Sequence, residues 1–251
     1  MTKLAEAFSR YFSEKPNFEF TCPQCKKGSL VPDQATFKVV EPSFSKEAHS
    51  HDAWDPDWIT YRFSVTCECN RPNCTETSYV SGSGSVDQWY GFNDMPEFYE
   101  RFTIRSFYPA PDLIVAPKDS PLEVRELLDR SFALYWVDTS AASNSLRASL
   151  EALLDELKIP RTKKTKAGAN TRLTLHARLD IWSAQQSDYA ELCFALKEVG
   201  NLGSHGAEVS EEHYFGALEL FHHVLTQLYE NNAVKMKALA KKIRSEIKSI
   251  P

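Results

Sequence analysis

Five of the six cysteines lie in the first 74 positions: Cys22, Cys25, Cys67, Cys69 and Cys74, with Cys193 alone near the other end. Clustered cysteines at short spacing in a reducing compartment read as metal ligands rather than disulfides. Cys22-Pro23-Gln24-Cys25 forms one knuckle. Cys67-Glu68-Cys69-Asn70-Arg71-Pro72-Asn73-Cys74 offers a second, in which either Cys69 or Cys67 can act with Cys74. Four thiolates fill a tetrahedron and leave no open position, so the expected ion is a structural zinc and not a Lewis acid. The preferred set is Cys22, Cys25, Cys69 and Cys74, because Asn-Arg-Pro-Asn supplies a turn between the last two. Cys67 then belongs with the preceding strand, Tyr61 to Thr66, its side chain turned elsewhere; it is the alternate ligand to Cys69. His49 and His51 sit in the polar stretch Ser45 to Asp57, read as a loop, and Cys193 reads as a small core residue.

A second set of polar residues falls where a helical core has no need of them. Asn144, Arg147 and Glu151 share a helix face at i, i+3 and i+7, and Arg147 with Glu151 has ion-pair spacing. Gly200-Asn201-Leu202-Gly203-Ser204-His205-Gly206 places three glycines at an expected helix end, with Asn201 and His205 projecting from the break and the backbone approaching something closely. Between Lys158 and Arg178 lie seven basic residues and no acid. Arg161, Lys163, Lys164, Lys166 and Arg172 can follow a phosphate backbone there, while Lys235 to Lys248 reads as a solvated helix face.

The elements that position these groups change character along the chain. Residues 16 to 115 are rich in β-branched and aromatic residues broken by Pro, Gly and Asn, the pattern of a small antiparallel sheet around the knuckles. Ser81-Gly82-Ser83-Gly84-Ser85 lacks the Lys-Ser/Thr of a phosphate loop and reads as a hairpin turn. Tyr108-Pro109-Ala110-Pro111 and Ala116-Pro117 stiffen a connection with a boundary near 118. Beyond it the period becomes helical: Ser120 as cap and Pro121 open a helix to about Val137. Leu146, Leu150, Leu153, Leu154 and Leu157 stripe a second helix ended by Pro160, and further helices are expected over 172–183, 187–199, 210–230 and 232–248. The predicted class is α+β, a zinc-ribbon-like β module with an N-terminal helix and linker over 1–118 and an all-α bundle of about six helices over 119–251. With 251 residues, 42% apolar, and a net charge of −5, the composition excludes disorder and a general polyanion binder. No stretch suits a membrane span and the N-terminus lacks a signal-peptide apolar block, so the expected address is the cytoplasm.

The knuckle Cys-Pro-x-Cys, the second cysteine pair, the Pro-rich linker, Arg147-x-x-x-Glu151, and Gly200-Asn201-x-x-x-His205 before a long helix ending Leu228-Tyr229 together resemble the domain-of-unknown-function 4145 family. The resemblance runs from about Cys22 to Tyr229. That family is similar to the HEPN superfamily of helical domains, many of them dimeric, metal-independent ribonucleases in prokaryotic restriction and antiphage systems. It implies a homodimer, contact with RNA or DNA, and a protein partner in a defence system. The superfamily signature is Arg followed by four to six residues and then His, yet Gly200, Val199 and Glu198 occupy the Arg positions here, and the nearest upstream cation is Lys197. Two functions follow. One is a zinc-stabilised binding or regulatory protein with a HEPN-like helical domain. The alternative is a ribonuclease whose composite site comprises His205, Asn201, Arg147 and Glu151, with Lys197 or Arg147 in the cationic role.

Overall fold

A computed structural model describes residues 2–90, 95–166, 168–204, 208–230 and 240–244. The chain forms a mixed α+β protein of two compact units, which do not divide at a single point. One comprises Met1–Leu113 with Asp129–Ala142 and Ser210–Glu212, the other Ile114–Leu128, Ser143–Val209 and His213–Pro251.

The first unit carries α1 (Lys3–Ala7), β1 (Tyr11–Ser13), β2 (Phe20–Thr21), β3 (Ser29–Pro32), β4 (Lys38–Val40), α2 (Ser43–Ala48), β5 (Thr60–Cys69), β6 (Thr77–Tyr90) and β7 (Pro96–Tyr108). Its seven strands pair antiparallel in the order β1-β7-β6-β5-β3-β2, with β4 also on β5. Alternation on β5 turns Phe63, Val65 and Cys67 inward to full burial while Ser64 and Glu68 face out. The core is unusually aromatic. Phe12 stacks on Phe102 at 5.2 Å and meets Phe63 edge-on at 5.2 Å, and Phe20 and Phe107 pack on Trp136 at 5.3 and 5.1 Å. Arg10 joins the short 210–212 segment to this unit through Glu211 Oε1 at 2.6 Å.

Three expectations about this region are corrected. Ser81 to Ser85 is not a hairpin turn but the middle of β6, paired on both sides. Its glycines answer a steric demand: a Cβ at Gly82 would sit 2.0 Å from the Thr103 carbonyl oxygen, beside a register shift at Ser81/Gly82, and one at Gly84 would sit 2.6 Å from the Phe102 ring. The stretch Ser45 to Asp57 is not all loop, since Ser43–Ala48 is helical. The buried Ser45 hydroxyl donates to Glu41 Oε1 at 2.7 Å and accepts from the Thr60 N–H at 3.0 Å, which ties the helix to β5. Finally, the sheet is larger than a module confined to the knuckles, because β6 and β7 extend for 14 and 13 residues.

The helical region contains α3 (Leu122–Tyr135), α4 (Thr139–Glu156), α5 (Leu175–Ser183), α6 (Ser187–Ser204) and α7 (Glu211–Tyr229), with a β8–β9 hairpin (Thr162–Lys164, Asn170–Arg172) inserted after α4. Of the helix expected over 232–248, residues 240–244 are helical and the rest lies outside the described residues. The leucine stripe is buried as expected: Leu146, Leu150, Leu153 and Leu154 are at most 1% exposed. Helix α4 stops through chain geometry before Pro160. Lys158 adopts φ 60°, its N–H reaches the Asp155 carbonyl and that of Ile159 reaches Leu154, the paired bonds of a left-handed helix stop.

Here too the outcome differs in places from the sequence reading. Ser120 does not cap α3: its hydroxyl is buried without a hydrogen-bond partner, and the Pro121 carbonyl accepts the first bond from Arg125. The basic segment Lys158 to Arg178 carries the β8–β9 hairpin, and the helix expected from 172 begins at Leu175. Gly200 and Gly203 do not break a helix, because α6 continues to Ser204. Gly200 is instead a close approach, where a Cβ would lie 2.6 Å from Arg147 Cβ.

Candidate metal centre and arginine cleft

The metal candidates converge at one end of the sheet. Cys22 follows β2, and the chain doubles back so that the Cys22 N–H donates to the Gly28 carbonyl at 2.8 Å, with Lys26 at φ 52° making the reversal. Cys69 ends β5, its N–H bonded to the Glu76 carbonyl at 3.0 Å, and Asn73 at φ 67° turns the chain so that Cys74 faces back. The four sulfurs of Cys22, Cys25, Cys69 and Cys74 lie within 4.8 Å of one another. Cys22 Sγ is 3.9 Å from Cys74 Sγ, and Cys25 Sγ is 3.8 Å from Cys69 Sγ. Four thiolates about 2.3 Å from a central ion form a tetrahedron with edges of about 3.8 Å, so these spacings suit a metal at the centre. Cys67 is outside the cluster, wholly buried in the sheet, and burial pushes its thiol up to about 12. Cys193 is likewise buried and pushed up to about 12. His49 is also elsewhere, bonded to Glu41 at 2.8 Å and packed on Trp54.

Electrostatics within the cluster favour a cation. The backbone N–H groups of Lys27 and Gly28 bring Cys25 down to about 6, the arrangement that prepares a thiolate. Burial raises Cys22. At Cys69 the Arg71 N–H favours the thiolate, but burial and the neighbouring thiols outweigh it and hold the group at about 12. Four sulfurs at this spacing resist ionising together unless a positive charge joins them.

Two residues outside the cysteine pattern build the centre. Gly28 lies so close that a Cβ there would be 2.7 Å from Cys69 Sγ and 2.7 Å from Arg71 Cβ. Asn70 Oδ1 accepts from the Ser29 N–H at 2.9 Å, and the Asn70 N–H donates to the Ser29 carbonyl, so one side chain locks the two knuckles together. A glycine three residues after Cys25 was the available signal; Asn70 left none beyond its place in a turn.

The other candidates gather on the helical unit. Arg147 and Glu151 form the expected pair at 3.2 Å on α4. They line a cleft of about 370 Å³ with Arg161, Arg172, Leu173, Thr174, Leu175 and Arg178. Arg178, counted among the seven basic residues of this stretch, is 4% exposed and structural: it meets Asp155 at 2.7 Å and the carbonyls of Glu151 and Ile159. Arg161 closes on the same Asp155 from the other side. Asp155 is held below the usual carboxylate range, first by its hydrogen bond to Arg161 and then by the charge of Arg178. Lys163, Lys164 and Lys166 are exposed on the β8–β9 hairpin. Asn201 is half-buried on α6 beside the Gly200–Arg147 contact. His205 lies outside the described residues. Lys197, the other candidate cation, is engaged by Glu198 at 2.5 Å and His176 at 3.4 Å.

Fold and clusters define an α+β protein with a four-cysteine centre on an antiparallel sheet and a helical unit bearing an arginine-lined cleft. Residues 10–110 match the family model described as Domain of unknown function (DUF8608), and residues 129–247 match Domain of unknown function (DUF4145). The DUF4145 likeness therefore begins after the first five cysteines, not at Cys22, and the whole four-cysteine cluster falls within the other match. No curated protein and no solved structure matches the chain.

Proposed function

We infer that the chain is a zinc-stapled binding protein, in which a zinc-ribbon-like cysteine centre stabilises the β unit and a HEPN-like helical unit contacts nucleic acid. The single observation that carries the metal half is the clustering of the Cys22, Cys25, Cys69 and Cys74 sulfurs within 4.8 Å of one another. Four sulfur donors leave no position for water or substrate, so the ion folds the unit and takes no part in chemistry. The binding half is supported by the hairpin cations Lys163, Lys164 and Lys166, which stand exposed with no acid in the surrounding segment.

The ribonuclease alternative requires a cation for His205. Arg147 is tied to Glu151 and Lys197 to Glu198, so neither observation favours it. The homodimer and the defence setting rest on the family resemblance alone; light scattering on the purified chain tests the first.

The deciding experiment pairs metal analysis with RNA binding. Elemental analysis should find one zinc per chain, retained in Cys67→Ser and lost in Cys69→Ser. Lys163→Gln/Lys164→Gln/Lys166→Gln should weaken single-stranded RNA binding, measured by fluorescence anisotropy, and flatten its salt dependence. A metal-free native protein, or RNA affinity indifferent to the three lysines, would overturn the respective half.

A further inference from the structure

The cleft beside Arg147 is built differently from a solvated basic surface. Its four guanidiniums come from four places in the chain: Arg147 on α4, Arg161 just after it, Arg172 on β9 and Arg178 on α5. Glu151 is the one carboxylate in the lining, while Asp155 and Glu123 lie in the adjoining depression. Arg178 is buried and held by Asp155 at 2.7 Å, which fixes one cation of the lining in place. Arg172 makes no ion pair among the described residues. The nine-residue helix α5 also starts at the cleft wall, with Thr174 as its cap and Leu175 as its first residue, and so adds the positive end of its dipole.

From these features the geometry points to a binding site for a phosphoryl group in the cleft lined by Arg147, Arg161, Arg172 and Arg178. A carboxylate has two coplanar oxygens and accepts its hydrogen bonds largely within one plane. A phosphoryl group presents oxygens in several directions and suits donors converging from separate elements. The volume falls at the small end for ligand clefts, which fits one phosphoryl group with a sugar attached better than a wide duplex. The group can belong to a free nucleotide or to the phosphorylated end of an RNA strand. For the second source the assignment rests on the nucleic-acid reading above; for the first it stands without it.

The test titrates the full metal-loaded chain by calorimetry with inorganic phosphate, a nucleoside 5′-monophosphate, and a short single-stranded RNA bearing either a 5′-phosphate or a 5′-hydroxyl. The expected result is saturable one-site binding of phosphate, weakened about tenfold in Arg172→Gln, which removes an exposed cation that no fold contact requires. The Lys163→Gln/Lys164→Gln/Lys166→Gln chain should bind phosphate as the parent does, which separates this cleft from the hairpin. Tighter binding of the monophosphate assigns the free nucleotide; a preference for the 5′-phosphorylated RNA assigns the strand end. Absence of saturable phosphate binding, or binding indifferent to Arg172→Gln, overturns the site even if the lysine hairpin still holds RNA.

Discussion

At the residue scale, the geometry of single contacts decides more than residue type. Gly28 is the clearest case, because any Cβ at that position meets the Cys69 sulfur. Gly28→Ala should lower metal affinity about tenfold, read by competition with a chromophoric chelator, with all four ligands still present. Asp155 makes a second case. It neutralises the buried Arg178 and anchors Arg161, so Asp155→Asn should destabilise the helical unit by about 3 kcal/mol in urea melts near neutral pH. Its folded pKa is depressed. The stabilisation is therefore complete above the ordinary carboxylate value of about 4 and is lost as pH falls through the lower folded value. Melts between pH 7 and pH 2 should show the stability gap between parent and Asp155→Asn closing only at the acid end. A gap constant to the lowest pH would show that Asp155 acts by packing and not by charge.

At the element scale, glycines that look like punctuation turn out to be contact surfaces. Ser81 to Ser85 has turn-forming composition, but Gly82 and Gly84 allow β6 to pass beneath Phe63 and Phe102. Gly82→Ala should cost about 3 kcal/mol through overpacking against the Thr103 carbonyl, measured by the urea midpoint with an unchanged slope. A stability loss below a few tenths would mean the strand can shift to admit a methyl group. The same lesson holds on α6, where Gly200 lets the helix lie against the aliphatic stem of Arg147 and does not end it. Composition reports that a Cβ is missing; only the neighbouring element says why.

At the scale of the whole molecule, the four-cysteine cluster and the aromatic core lie in the same unit. The knuckles clamp β2, β3 and β5 at one end, while Phe12, Phe63, Phe102 and Trp136 fill the interior. With zinc bound as proposed, the ion contributes on the order of 10 kcal/mol to the folded state. Chelation should therefore lower the melting transition of the β unit, seen as lost near-ultraviolet circular dichroism from the Phe20–Phe107–Trp136 cluster, while far-ultraviolet helix signal from α4 to α7 persists. A single transition losing both signals together would show that the units unfold as one.

Much of this was legible beforehand. The knuckle spacing put forward the four cysteines that cluster, with Cys67 left as alternate to Cys69, and the leucine period located α4, because both depend on local separations along the chain. The interleaving of the two units was not legible: residues 129–142 and 210–212 join the first unit through Trp136 and the Arg10–Glu211 ion pair, partners far away in sequence. Nor was the burial of Arg178, since it depends on where α4 ends.

By itself the sequence determined the strand-then-helix order, the two cysteine knuckles and the Arg147–Glu151 pair, because thiol spacing, hydrophobic period and i, i+4 reach are properties of a few consecutive turns; the choice of Cys69 over Cys67 in the cluster came from the fold. Tertiary structure alone decided which glycines are contacts, which arginine is buried and which four converge on one cleft. Burial and steric exclusion belong to pairs of surfaces, and a chain read in one dimension contains only one of each pair.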